Sequence, residues 1–163
     1  MNKVKVKQSK IQGMGVYATA HIKVGEIVLG IDDSHVVTDP SLLTAEQNEY
    51  DCDYLADGKV ILMQEPEKYI NHSCNPSSYV KTTGDIRKVI AVRDIQIGQE
   101  ITYDYSMNGD NEGTFTCHCG ASNCRGVYNG NFFKLPLEIQ KKCLSYLDDW
   151  FVKEHSSQIR DIK

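Results

Sequence analysis

No stretch of this 163-residue chain approaches the roughly 20 consecutive apolar residues that span a bilayer. Its opening Met1-Asn2-Lys3-Val4-Lys5 leads into alternating charge, not into the apolar core of a secretory signal. Both absences point to a soluble, intracellular protein. Clustered positive charge is missing too: 18 lysines and arginines are scattered against 22 acidic residues, for a net charge of −4 and a pI near 5.7. The electrostatic footprint of a nucleic-acid binder is therefore lacking, and a mildly acidic surface suits a basic peptide better. There is no internal repeat. With 40% hydrophobic and 25% charged residues, the chain reads as one compact domain around a single core.

What the chain does have is cysteine, six in all. In a reducing compartment these argue for metal or catalytic use over a disulfide framework. Cys117-His118-Cys119-Gly120-Ala121-Ser122-Asn123-Cys124 places three thiols in one short loop. The redox spacing Cys-x-x-Cys is absent, so zinc is the stronger reading. Structural zinc takes four tetrahedral ligands, and three from this loop leave one to be found among Cys52, Cys74, Cys143 and the five histidines. Isolated reduced cysteines such as Cys52 and Cys143 usually act as small buried hydrophobes.

Most of the chain reads as short strands. Residues 3–8 alternate Lys-Val-Lys-Val-Lys-Gln with period two. Residues 16–20, 26–31, 59–64 and 89–92 are short and mostly β-favouring, and Ile97-Gly98-Gln99-Glu100-Ile101 leads into another strand ending at Tyr103-Asp104-Tyr105. Turns fall at Gly13-Met14-Gly15 and Lys23-Val24-Gly25. A capping-box pattern at Thr44-Ala45-Glu46-Gln47 predicts a short helix within 41–50. The Gly/Asn/Asp-rich residues 106–116 read as a flexible linker. Pro136 sits in a first helical turn, and Cys143, Leu144, Leu147, Trp150 and Phe151 recur at helical spacing, which predicts one amphipathic helix to about residue 154.

Asn71-His72-Ser73-Cys74-Asn75-Pro76, preceded by Tyr69-Ile70, resembles the first signature of SET-domain protein lysine methyltransferases. Gly98-Gln99-Glu100-Ile101-Thr102-Tyr103-Asp104-Tyr105 is similar to the second, and Cys117-x-Cys119-x4-Cys124-Arg125-Gly126 to the post-SET segment. Gly13-Met14-Gly15-Val16-Tyr17-Ala18 matches the glycine turn near the family's N-terminus. All four occur in the family's order. The departures are Lys68, where arginine is common, Ser77, where asparagine usually follows the proline, the lack of a cysteine-rich pre-SET region and a short insert.

The resemblance implies a mainly β SET-domain fold of small sheets with a knot-like crossing, plus a C-terminal amphipathic helix. It implies a SET domain over residues 1–106 with an insert at about 32–65, a linker and post-SET zinc motif over 107–127, and a helical extension over 128–163. The implied activity is transfer of methyl from S-adenosylmethionine to lysine in a basic protein, a histone or chromatin protein first. Non-histone targets remain an alternative, and so does an inactive peptide-binding module, although a dead module would be expected to have damaged motifs. The place would be nuclear chromatin in a eukaryote and the cytoplasm in a microbe.

By the same resemblance Gly13, Met14 and Gly15 lie against the amino-acid end of the cofactor, where absent side chains allow close backbone approach. Asn71 and His72 contact its adenosyl portion, and Phe115 and His118 cover the adenine. Tyr105 is the active-site tyrosine at the junction of methyl and amine. Tyr103 occupies the position that resembles a product switch, and as tyrosine it favours mono- or dimethylation. Tyr50 or Tyr54 is expected to supply another channel wall, while Asp104 supports local structure. Cys74 joins Cys117, Cys119 and Cys124 as the fourth zinc ligand.

Overall fold

The computed structural model describes residues 3–39, 41, 43, 44, 47 and 51–162. Eleven short strands among these residues form four small sheets. β1 (Val4–Gln8) pairs antiparallel with β2 (Met14–Ala18), which pairs with β9 (Glu100–Tyr103). The two-residue β6 (Asn71–His72) completes this sheet in parallel with β9, setting Asn71 opposite Thr102 and His72 opposite Tyr103. A second sheet has the order β3 (Ile27–Gly30), β8 (Ile86–Ala91), β7 (Ser78–Thr83). The hairpin of β4 (Cys52–Tyr54) and β5 (Val60–Leu62) lies in the insert.

The alternation at the N-terminus does what period two dictates: Val4 is buried and Val6 half-buried, while Lys5 and Lys7 face solvent or its edge. Val4, Val16, Ala18, Val28, Ile70, Val89, Ile95 and Ile101 form the main core, so the two larger sheets share one apolar interior. Between them the motif segments are sewn together. Ser73 N–H donates to the Tyr103 carbonyl at 3.0 Å and Ser77 N–H to the Thr102 carbonyl at 3.1 Å.

Two expectations need correction. Residues 106–116 are not a flexible linker: β10 (Asp110–Thr116) pairs antiparallel with β11 (Val127–Asn131), with a register shift between Asp110 and Thr114. Every β10 residue is exposed, so its strand bonds come from β11 and not from burial of an apolar face. The helical C-terminus is present, but as α1 (Leu137–Cys143), α2 (Asp149–Glu154) and α3 (Ser156–Ile162) instead of one continuous helix. The break lies at Leu147 and Asp148, both of extended backbone. Asp148 is pinned from outside: its carboxylate accepts Thr82 N–H at 2.8 Å and Thr82 Oγ1 at 2.7 Å, and its own N–H donates to Asn108 Oδ1 at 2.7 Å. Those tertiary bonds outcompete continuation of the helix. Phe132, Leu135, Leu147, Phe151, Ile159 and Ile162 make a second core beneath it.

The helix expected within 41–50 lies outside the described residues apart from single positions, among which the Gln47 side chain accepts Thr44 N–H at 3.0 Å. Tyr50 also lies outside them, and Tyr54 stands on β4 with 59% of its surface exposed. No helix among the described residues is long and apolar enough to cross a membrane.

Candidate active site

The four cysteines of the two motifs meet. The ligand atoms of Cys74, Cys117, Cys119 and Cys124 all lie within 4.8 Å of one another, and Cys74 Sγ is 3.8 Å from Cys117 Sγ. Zinc–sulfur bonds of about 2.3 Å in a tetrahedron put sulfurs about 3.8 Å apart, so the cluster needs only a small contraction to close on an ion. Backbone donors already serve the sulfurs: Cys74 N–H points at Cys119 Sγ (3.5 Å), Arg125 N–H at Cys74 Sγ (3.4 Å) and Gly126 N–H at Cys124 Sγ (3.4 Å). Such donors favour thiolate, the form that binds metal. Burial pushes Cys74 and Cys117 up, whereas at Cys119 burial is outweighed by backbone donors together with hydrogen bonds from the Cys117 and Cys124 thiols, which bring the thiol down to about 6. The donor set therefore fits zinc.

Beside the cluster is a small cleft lined by Asn71, His72, Tyr105, Phe115 and His118, with Ile11 and Gln12 from the turn before β2. The cleft is held from both motifs. Asn71 Nδ2 donates to the carbonyls of Gln12 (3.2 Å) and Met14 (2.9 Å) and to Glu100 Oε1 (2.9 Å). Glu100 also accepts Ser9 Oγ at 2.7 Å and Tyr17 Oη at 2.9 Å. A side chain at Gly15 would run into this carboxylate, so glycine is needed there for packing, and Gly13 takes a positive φ of 48° at the turn. Gly13, Met14 and Gly15 thus sit next to the lining, while Ile11 and Gln12 face the cleft itself.

His72 joins the cleft to the cysteines. Its Nδ1 accepts Tyr105 N–H at 3.2 Å, so the neutral ring carries its proton on Nε2, which lies 3.5 Å from Cys74 Sγ. Burial depresses its pKa to about 4, against the pull of Asp104, so the ring stays neutral and its 3.5 Å approach to Asp104 is not an ion pair. Tyr105 and Tyr128 flank the ring edge-on, and Phe115 stacks on Tyr128 with centroids 4.4 Å apart. Tyr105 Oη donates to the Ile70 carbonyl at 2.7 Å. Burial raises the pKa of Tyr105 and of Tyr103, whose rings lie 5.0 Å apart, so both remain neutral phenols.

Asp104 is 3% exposed and takes two bonds from Arg125, at 2.6 and 2.8 Å, plus Ser106 N–H at 3.1 Å. It is fully engaged in structure. His118 stands at the cleft and outside the four-cysteine cluster. Three contributors escaped sequence reasoning. Tyr128, in a Gly/Asn-rich strand, carried no signal. Arg125 stood inside the cysteine motif without a role, and Glu100 lay unread inside the second signature.

Residues 13–106, more than half of the chain, match the model of the SET domain. The chain is 34% identical over 143 residues to "Histone-lysine N-methyltransferase trr" of Drosophila melanogaster, covering 78% of this chain and 6% of that protein. It is likewise 34% identical to human "Histone-lysine N-methyltransferase 2D", over 78% of this chain and 2% of the relative. It is 40% identical over 86 residues to mouse "Histone-lysine N-methyltransferase NSD3", over 50% of this chain and 6% of that one. The chain thus spans only a small part of the curated relatives it matches. The glycine turn and both signature motifs fall within the matched residues 13–106, and the chain belongs to the SET-domain family.

Proposed function

We propose that this chain methylates the side-chain amine of lysine in a basic protein, with S-adenosylmethionine as donor and a histone or other chromatin protein as the favoured substrate. The observation that carries the reading is the cleft at which Asn71, His72, Tyr105, Phe115 and His118 converge beside a four-cysteine cluster. The names of the relatives support the histone as substrate, and a nuclear setting goes with it. When bound, S-adenosylmethionine supplies an electrophilic methyl on a sulfonium.

The chain's own residues bind, orient and exclude water. The Tyr105 hydrogen is committed to Ile70, so its oxygen lone pairs are free to accept from an amine and fix its line of approach. Free lysine has a pKa near 10.4, and burial beside neutral tyrosines favours the uncharged nucleophile. The Tyr103 hydroxyl takes room beside the amine, which limits the product to mono- or dimethyllysine. Asn71 and His72 hold the adenosyl end, Phe115 and His118 cover the adenine, and the turn of Gly13, Met14 and Gly15 receives the amino-acid end. Zinc on Cys74, Cys117, Cys119 and Cys124 would tie the loop bearing Phe115 and His118 to the Asn71 segment.

The test is a transfer assay with labelled donor on core histones, histone peptides and a cell lysate, for the wild type and Tyr105→Phe. The wild type should label lysine, and Tyr105→Phe should lose about a hundredfold in rate, the scale of a mispositioned reacting group. Donor binding without transfer to any of these substrates would refute the enzymatic reading.

A further inference from the structure

The insert reaches the core through one buried cation. Arg87, on β8, is 5% exposed. Its Nε and Nη2 hold both oxygens of Asp33 at 2.8 to 3.1 Å, and its Nη1 donates to Asp53 on β4. Both aspartates belong to the insert. Arg87 Nη2 also lies 3.5 Å from Glu67 Oε1. Glu67 is 4% exposed, and its Oε2 has no hydrogen-bond partner among the described residues.

One guanidinium therefore faces three carboxylates, and burying them costs least if one keeps its proton. Glu67 is that one. It is the most buried of the three, makes the longest contact and has the orphan oxygen. Burial pushes its pKa up to about 8. The groups facing it are Arg87, Asp53, Asp33 and Asp32, and Tyr103 senses its charge in turn.

Glu67 also stands at the foot of the active tyrosine. Its carbonyl accepts Ile70 N–H at 2.8 Å, and the Ile70 carbonyl accepts Tyr105 Oη at 2.7 Å. The insert thus reaches Tyr105 through the Arg87–Glu67 contact and then through the Glu67 and Ile70 main chain. We infer that Glu67 and Arg87 are positioning residues for the acceptor lysine, latching the insert onto the core so that it forms a wall of the channel beside Tyr103 and Tyr105. The acceptor's identity rests on the lysine-methylation reading; the latch does not. Once Glu67 ionises, a third negative charge shares one cation, and the insert opens more readily.

The test follows backbone hydrogen exchange of the β4–β5 hairpin in the full zinc-loaded chain at pH 6 and pH 8, corrected for intrinsic rates, with peptide KM and donor affinity measured in parallel. In the wild type, opening should rise at least about tenfold between the two pH values, because the open state binds the Glu67 proton less tightly. Glu67→Gln should remove that dependence. Arg87→Lys should open the hairpin at both pH values and raise peptide KM at least about tenfold, the scale of one lost charge-assisted bond, with donor affinity unchanged. The inference is overturned if Glu67→Gln keeps the wild-type pH dependence, if Arg87→Lys leaves the hairpin as protected as before, or if donor affinity falls in step with peptide KM. A wild type that transfers no methyl would remove the lysine reading, while the exchange data would still decide the latch.

Discussion

Replacing Arg125 by methionine should destabilise the fold while sparing the zinc site. The Arg125 guanidinium makes two bonds to Asp104, at 2.6 and 2.8 Å, and a third to Ser106 at 3.2 Å, with side chains 11% and 3% exposed. Removing one partner of a buried pair leaves an uncompensated charge, at a cost of about 3–5 kcal/mol. In a chain of this size each kcal/mol moves Tm by about 2–4 °C, so the variant should melt about 6–20 °C lower. Zinc content should hold, because the hydrogen bond of Arg125 to the cluster comes from its main-chain N–H on Cys74, which the substitution keeps. Adding Asp104→Asn to Arg125→Met removes the stranded charge and should recover part of the loss. Thermal melts of the wild type, both single variants and the double variant close the cycle. A fall of less than about 2 °C for Arg125→Met, or a double variant no more stable than that single one, would refute the reasoning.

On the proposed function, Tyr103→Phe should shift the product toward trimethyllysine; mass spectrometry showing mostly trimethyllysine from the wild type would contradict the reading. Phe115→Ala should weaken donor binding by about 5- to 150-fold in calorimetry, since stacking of an aromatic on a base contributes about 1–3 kcal/mol. Glu67 should make stability fall with rising pH. Its folded pKa of about 8 lies above the ordinary 4.5, so the stability it contributes is complete below the lower value and lost as pH rises through the upper. The loss is on the order of a few kcal/mol, and melts of Glu67→Gln should draw ahead of the wild type between pH 5 and 8.5. A constant gap between the two would rule this out.

Local signals in the chain were reliable where local physics decides. The Val/Lys alternation of β1 and the helical spacing after Pro136 both correspond to real elements. β10 was illegible because all seven of its residues are exposed and its order comes from a partner strand that follows the cysteine loop. The helix break at Asp148 was illegible for a similar reason, since Thr82 and Asn108 lie 66 and 40 residues away. Three cysteines of the cluster could be read from spacing, whereas Cys74 entered only through its motif, 43 residues before Cys117. Nothing in Glu65-Pro66-Glu67 marks a buried carboxylate, because its burial depends on Arg87 from another sheet. Tyr128 joins the aromatic wall through strand pairing with Phe115 and contacts to His72 and Tyr105, all from residues distant in sequence.

The central claim is that the four-cysteine site completes a methyl-donor site. The direct measurement is calorimetric titration of S-adenosylmethionine into zinc-loaded protein, chelator-stripped protein and Cys124→Ser, with circular dichroism on each sample. Zinc-loaded protein should bind the donor, and the other two should lose binding and methyl transfer while keeping the β signal of the main core. Donor binding of equal strength with and without zinc would contradict it.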